Sequence, residues 1–337
     1  MTPLSNFSFG SFGARARRAG LDGFLLALFG ALFLAYLWPY PGSSEAPFQL
    51  AKLANYGVSI IFFFYGLKLN PAQLRTGLSN IRLHLLIHVS TFILFPILIL
   101  GIKPFFQSPD NQTLWLGLFF LAALPSTVSS SVVMVSLAKG NLPAAIFNAS
   151  ISSLIGVFIT PLWFGLVMDT TAIDFELSGV IIKLIIQVVL PVVLGLLLHR
   201  KLGAWAEKYR TQLRYFDQSI IILIVYTAFC ESFAANMFDA IEWKDLFLLS
   251  IGTVALFFLV YGLILFICRA LSFSREDTIT ALFCGSKKSL VQGAVMSKIL
   301  FAGLASSGLI LLPIMIYHAF QLLIVSSLAQ RYSRNSP

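Results

Sequence analysis

Gly285-Ser286-Lys287-Lys288-Ser289 sits inside an otherwise apolar run from Thr278 to Leu300. A lysine at bilayer depth costs about 2.5–3.5 kcal/mol on insertion scales, so such residues persist mainly where they face a cavity, a partner or a solute. Two of them, flanked by a glycine and serines that weaken a helix, mark an interrupted membrane segment with a polar centre.

Outward from this stretch the chain stays apolar. Of 337 residues, 58% are hydrophobic and 11% charged, and the mean hydropathy is +0.88. Soluble domains average roughly 25% charged residues. Crossing the hydrocarbon takes about 20 apolar residues, and ten such runs can be drawn: Asp22 to Trp38, Leu50 to Leu69, Ile81 to Ile102, Gln112 to Ala138, Leu142 to Met168, Leu177 to His199, Phe216 to Phe233, Leu246 to Arg269, Thr278 to Phe301 and Ala305 to Ala329. The expectation is an all-α integral membrane protein whose longest interior connector, the basic stretch from Arg200 to Tyr215, is too short for a core of its own.

Cytoplasmic loops retain Lys and Arg. With the N-terminus inside, Arg15, Arg17, Arg18, Lys68, Arg75, Arg82, Lys139, Arg200, Lys201, Lys208, Arg210, Arg214, Arg269, Arg275, Arg331 and Arg334 fall on the inner side, and only Lys52, Lys103 and Lys244 outside. The outer loops collect Glu45, Asp110, Asp169, Asp174, Glu176, Asp239, Glu242 and Asp245. Both termini are therefore expected in the cytoplasm, in a bacterial inner membrane. Residues 1–21 read as a basic tail and 330–337 as a second tail. The net charge of +9 points to anionic headgroups rather than nucleic acid. Cys230, Cys268 and Cys284 lack paired spacing and read as packing residues.

An internal repeat divides the chain into 22–168 and 177–329. Pro39 and Pro191, and likewise Pro161 and Pro313, are separated by 152 positions, and Ser59-Ile60-Ile61 recurs as Ser219-Ile220-Ile221. Two halves with an odd number of spans each lie inverted in the membrane. Span four carries Leu124-Pro125-Ser126-Thr127-Val128-Ser129-Ser130-Ser131 midway along its length. Proline blocks the helix there, and nearby hydroxyls are expected to bond the freed carbonyls. Span nine places Ser286, Lys287, Lys288, Ser289 and Gln292 at the corresponding point. Paired interrupted helices in matching positions of two halves are the sequence pointer to a carrier's binding site, so the two breaks are expected to meet.

At these residues the chain resembles the bile acid:sodium symporter superfamily, and within it the SBF-like subgroup, which includes bacterial transporters and the seventh member of solute carrier family 10. The stretches that carry the resemblance are Gly57-Val58-Ser59-Ile60-Ile61-Phe62-Phe63-Phe64-Tyr65-Gly66-Leu67, Leu124 to Ser131 with Ala138-Lys139-Gly140-Asn141, Ala144-Ala145-Ile146-Phe147-Asn148, and Gly285-Ser286-Lys287-Lys288-Ser289-Leu290. The resemblance implies ten transmembrane helices in two inverted five-helix repeats. Spans 1, 2, 6 and 7 would form a panel, and spans 3–5 and 8–10 a core in which broken spans 4 and 9 cross. A solute would bind in the crevice between panel and core and gain access to each side alternately. The solute class implied is a small anionic or amphipathic organic molecule. Sodium-coupled members carry a Ser-Asn pair corresponding roughly to Ser130 and Ser131, a Glu and a Gln at the positions of Phe283 and Lys287, and hydroxyl ligands at those of Ala145 and Ala149. The usual sodium ligands are thus largely absent. Lys287 or Lys288 is expected where a cation would bind, with sodium, a proton or no ion left open as the coupling species, and no resident cofactor or metal is expected.

The candidate binding residues are Ser126, Thr127, Ser129, Ser130, Ser131, Asn148, Ser286, Lys287, Lys288, Ser289 and Gln292. Each has a structural alternative: back-bonding or close-packing hydroxyls for the serines and threonine, an interhelical bond for Asn148, and a cap on the break for either lysine. His84 and His88 share a helix face but lack a third metal ligand, and are placed at the cytoplasmic interface. Gln187, Gln321, His318 and Lys183 read as interhelical or snorkelling groups. Glu231 reads as lining an outer vestibule or pairing with Lys183. Two further function classes are weighed. One is a non-transporting regulator that retains the fold. The other is a serine–lysine hydrolase built on Ser136-Leu137-Ala138-Lys139 or on Ser286 and Lys287, where neither pairing aligns a base with a nucleophile at the centre.

Overall fold

The structure is a computed structural model that describes residues 23–69, 80–106, 109–168, 177–239 and 241–334. The expected tail at 1–21, residues 335–337, Asp22, Arg75, Asp169, Asp174 and Glu176 lie outside the described residues. Of the described residues 85% are helical, and none forms a strand. In chain order the helices are α1 (Gly23–Leu37), α2 (Leu50–Lys68), α3 (Ile81–Val89), α4 (Phe95–Gly101), α5 (Pro109–Ala123), α6 (Ser129–Leu137), α7 (Leu142–Met168), α8 (Leu177–Leu184), α9 (Leu190–Lys208), α10 (Arg210–Ala234), α11 (Trp243–Ala270), α12 (Arg275–Gly285), α13 (Leu290–Leu300) and α14 (Ser307–Arg334). One π turn, Ser90–Leu94, joins α3 to α4, and another, Ile185–Val189, joins α8 to α9.

Among the described residues seven continuous helical segments are long and apolar enough to cross a membrane, and α1 is a shorter apolar helix. Large apolar side chains such as Leu26, Phe33, Leu85, Leu166, Leu197 and Phe266 point outward along them. Contiguous apolar surface on this scale calls for a bilayer rather than water. The basic connector expected at Arg200 to Tyr215 is instead helical: α9 continues to Lys208, Tyr209 makes a single-residue break, and α10 begins at Arg210. The apolar signal stops at His199, but Ala204, Ala206, Glu207 and Lys208 favour helix. Ala206 and Leu213 also bury against Leu67, which gives the extension a packing partner.

The helices fall into two packed groups. α2 lies along α9, α1 along α10, and α2 also contacts α10. Gly66 and Gly195 set the closest approach, since a Cβ at either would run into backbone of the facing helix at Val192 or Phe63. Small residues let membrane helices close to this distance without a hydrophobic driving force. The second group is built round α14, which packs on α5, α6, α11 and α13 and meets the first group at α10. In its most apolar window 67% of α14 is buried, against 22% along α8 and α9, so α14 is an inner helix and α9 an outer one. Phe120, Phe164 and Phe301 pack edge to face at 5.0–5.8 Å in this group. Between the groups, Tyr65 Oη donates to Ser150 O at 2.8 Å, and Ser232 Oγ donates to Ala305 O at 2.5 Å.

Candidate functional site

Two prolines prepare the site by leaving carbonyls without donors. α5 stops at Ala123 before Pro125, and its last carbonyls, like those of any helix, lack intrahelical partners. Ala122 O would normally take the N–H of Ser126, but that N–H turns to Ser152 Oγ at 3.0 Å. Thr160 Oγ1 donates to Ala123 O at 2.8 Å, and Ser289 N donates to Pro125 O at 2.9 Å. Pro96 acts the same way in the neighbouring segment. In the π turn the Phe95 N–H reaches back to Ser90 O. Thr91 O would next need the N–H of residue 96, which proline lacks, and so would Phe92 O in α-helical register. Trp163 Nε1 donates to Phe92 O at 2.7 Å.

Lys288 collects the remaining oxygens. Its Nζ lies 2.7 Å from Thr91 O, 2.6 Å from Ala122 O and 2.7 Å from Leu124 O, and 4.2 Å from the centre of the Phe95 ring. An ammonium has three N–H donors, and three carbonyls take them. Placed at the C-terminal end of α5, the charge also meets the negative end of that helix. The backbone of the break is held from α14. Gln321 Oε1 accepts from Lys288 N at 2.9 Å, Gln321 Nε2 donates to Lys288 O at 2.8 Å, and Tyr317 Oη donates to Ser286 O at 2.6 Å. Ser286 Oγ closes back on Leu282 O, and Ser289 Oγ accepts from Gln292 N to cap α13.

Lys287 is equally buried but differently engaged. Both lysines are 0% exposed, yet the one hydrogen bond recorded for Lys287 Nζ is to Ser130 Oγ at 2.7 Å, which in turn lies 3.1 Å from Thr127 Oγ1. Ser129, on the first turn of α6, is exposed, and Ser130 is half-buried. Ser126 Oγ, Ser131 Oγ and Gln292 Oε1 are buried without a partner. The hydroxyls of residues 126–131 therefore do not bond the open carbonyls at the end of α5; Lys288 Nζ takes Ala122 O and Leu124 O, Thr160 Oγ1 takes Ala123 O, and Ser289 N takes Pro125 O. Asn148 is fully buried between Ala144 O and His84 Nδ1 on α7 and α3. His84, expected at the interface, is buried because that bond and Phe147 hold it inward. Glu231 accepts from Ser44 N and Oγ rather than pairing with Lys183. Gln321, Tyr317 and Thr91, which hold the break and its lysine, were not among the expected site residues; the signal for Thr91 was Pro96 five residues on.

Of the positions at which the resemblance places sodium ligands, Ser130 and Ser131 keep a hydroxyl and the other four carry no oxygen ligand. Phe283, Ala145 and Ala149 are buried and apolar, and Lys287 brings a positive charge. Among the described residues no group of three or more His, Cys, Asp or Glu could hold a metal ion. The chain matches the SBF-like CPA transporter family over residues 22–334. It belongs to that family. Relatives of this SBF-like chain include the uncharacterized protein PA2026 of Pseudomonas aeruginosa, 40% identical, with 93% of each chain covered. YfeH of Escherichia coli strain K12, named as a candidate symporter, is 37% identical with 94% of each covered. Sodium/bile acid cotransporter 7 of Mus musculus is 32% identical with 92% of each covered. The SBF-like chain is thus an integral membrane member of a transporter family, related along nearly its whole length to bacterial and vertebrate proteins.

Proposed function

We propose that this protein is a secondary transporter for a small anionic or amphipathic organic solute, working by alternating access without sodium as an obligatory partner. On this reading α5–α6 and α12–α13 are the two broken spans of a ten-span, inverted-repeat molecule with halves at 22–168 and 177–329. The panel is α1, α2 and α8 to α10, and both termini are cytoplasmic, in a bacterial inner membrane. The observation that carries the reading is the hydrogen-bonded meeting of the two breaks, with Lys288 filling carbonyl oxygens and Lys287 beside the first turn of α6. A buried lysine with spare donors and the unpartnered oxygens of Ser126, Ser131 and Gln292 are the polar atoms that a solute's charged and hydroxyl groups would meet. The apolar residues at Phe283, Ala145 and Ala149 support sodium independence.

The test is uptake of a radiolabelled conjugated bile acid and of smaller organic anions into proteoliposomes, with sodium or choline outside. Saturable uptake, equal in the two cations and lost in Lys287→Met, is expected. Strong stimulation by sodium that disappears when Ser130 and Ser131 are replaced contradicts the sodium-independent reading. A second reading, a regulator that binds solute without moving it, rests on the same loss of the sodium carboxylate at Phe283. Saturable binding with no accumulation for any bound anion would favour it.

A further inference from the structure

The surroundings of Lys288 Nζ have the make-up of a cation site. Three backbone carbonyls lie at 2.6–2.7 Å and an aromatic face at 4.2 Å, and none of the ion pairs recorded among the described residues involves this lysine. Carbonyl oxygens are what a small hard cation requires, and rings of them replace a cation's hydration shell in selective pores. Each oxygen is freed by backbone geometry that does not depend on the lysine. Thr91 O is freed by the π turn and Pro96, Ala122 O by the turn of Ser126 N toward Ser152, and Leu124 O by the end of α5. The aromatic face belongs to Phe95, one residue before that proline, and supplies a cation–π contact.

We propose that Thr91, Ala122 and Leu124 form a monovalent-cation site that the chain occupies with its own tethered ammonium, so that removing the amine creates a protein requiring a free small cation. The two lysines then have separate tasks, Lys288 as the permanent ion of the crossing and Lys287 as the charge left for other work. The inference builds on the sodium-independent reading above, but its readout is stability rather than uptake, so the two fail separately.

The experiment compares thermal unfolding of the purified, detergent-solubilised protein and of Lys288→Ala in sodium, potassium, ammonium and choline chloride at equal concentration. The unaltered protein is expected to unfold at one midpoint in all four salts. The variant is expected to unfold several degrees lower in choline and to recover, saturably, in at least one small cation. Lys288→Met, which fills the space with an uncharged chain, is expected to show no such recovery. Should Lys288→Ala be unfolded in every salt, the same comparison on Lys288→Ser decides, since its short polar side chain leaves the three carbonyls free and the space beside them open. Cation-specific recovery in either variant supports the site. Its absence in both, whether folded or not, overturns it.

Discussion

Lys287 and Lys288 are chain neighbours in different chemical situations, and that difference is measurable. Lys288→Met leaves three buried carbonyls without a donor, each at a cost of about 1–3 kcal/mol, whereas Lys287→Met deprives one half-buried hydroxyl of a bond. Thermal unfolding in detergent is expected to show a much larger loss for the first substitution, and equal losses would remove the assigned division. Gln321→Leu is expected to cost a similar amount for each of two buried backbone groups, the N–H and C=O of Lys288, while leaving both lysines in place. At this scale the sequence showed the lysines plainly, since charge inside an apolar run stands out. Gln321 and Thr91 did not stand out. A glutamine on an inner helix has the same composition whether it pairs with another helix or with a broken backbone. The Thr91 carbonyl belongs to no side chain at all; it becomes a ligand only because a π turn shifts the register by one residue ahead of Pro96.

At the level of elements, the breaks were readable because proline, glycine and clustered hydroxyls punctuate helices. The structure interrupts both segments, at 124–128 and at 286–289. The extension of α9 to Lys208 was not readable from hydropathy, which measures the bilayer's thickness and not the helix's length. The α2–α9 seam gives a further expectation. Gly66→Leu drives a side chain into the backbone at Val192, and a helix backbone cannot move aside as a flexible side chain can. Gly30 on α1 has open space where a Cβ would stand, so Gly30→Leu serves as the control. Gel filtration of the detergent-solubilised variants is expected to give a monodisperse peak for Gly30→Leu and aggregate for Gly66→Leu. Two similar peaks would mean that the seam is not closely packed in the membrane.

For the molecule as a whole, α10 packs on α13 and α14 across the two groups, and the hydrogen bond from Ser232 to Ala305 is one tie between them. If transport requires the groups to move past each other, a disulfide between Ser232→Cys and Ala305→Cys, with Cys230, Cys268 and Cys284 replaced, is expected to abolish uptake until it is reduced. Undiminished uptake in the crosslinked protein would exclude relative motion at that end. The opposite ends of several elements are stitched together. Asp277 on α12 accepts from Asn80 Nδ2 at 2.6 Å, ahead of α3, and from Asn141 Nδ2 at 2.8 Å, ahead of α7. Asp277 thus ties the starts of α3, α7 and α12 together.

The long reach of Lys288 also bears on how the chain is made. Its three carbonyl partners precede it by 197, 166 and 164 residues. A ribosome adding roughly 5–20 residues per second delivers those carbonyls on the order of ten seconds before the amine exists. During that interval the early helices exist with those three oxygens lacking the amine that fills them. The nascent first half must therefore be sheltered, by translocation machinery or by water, until the last helices arrive to seal it. A truncated product ending near residue 170 is accordingly expected to be degraded in cells, and to persist when the remaining half is supplied as a separate polypeptide.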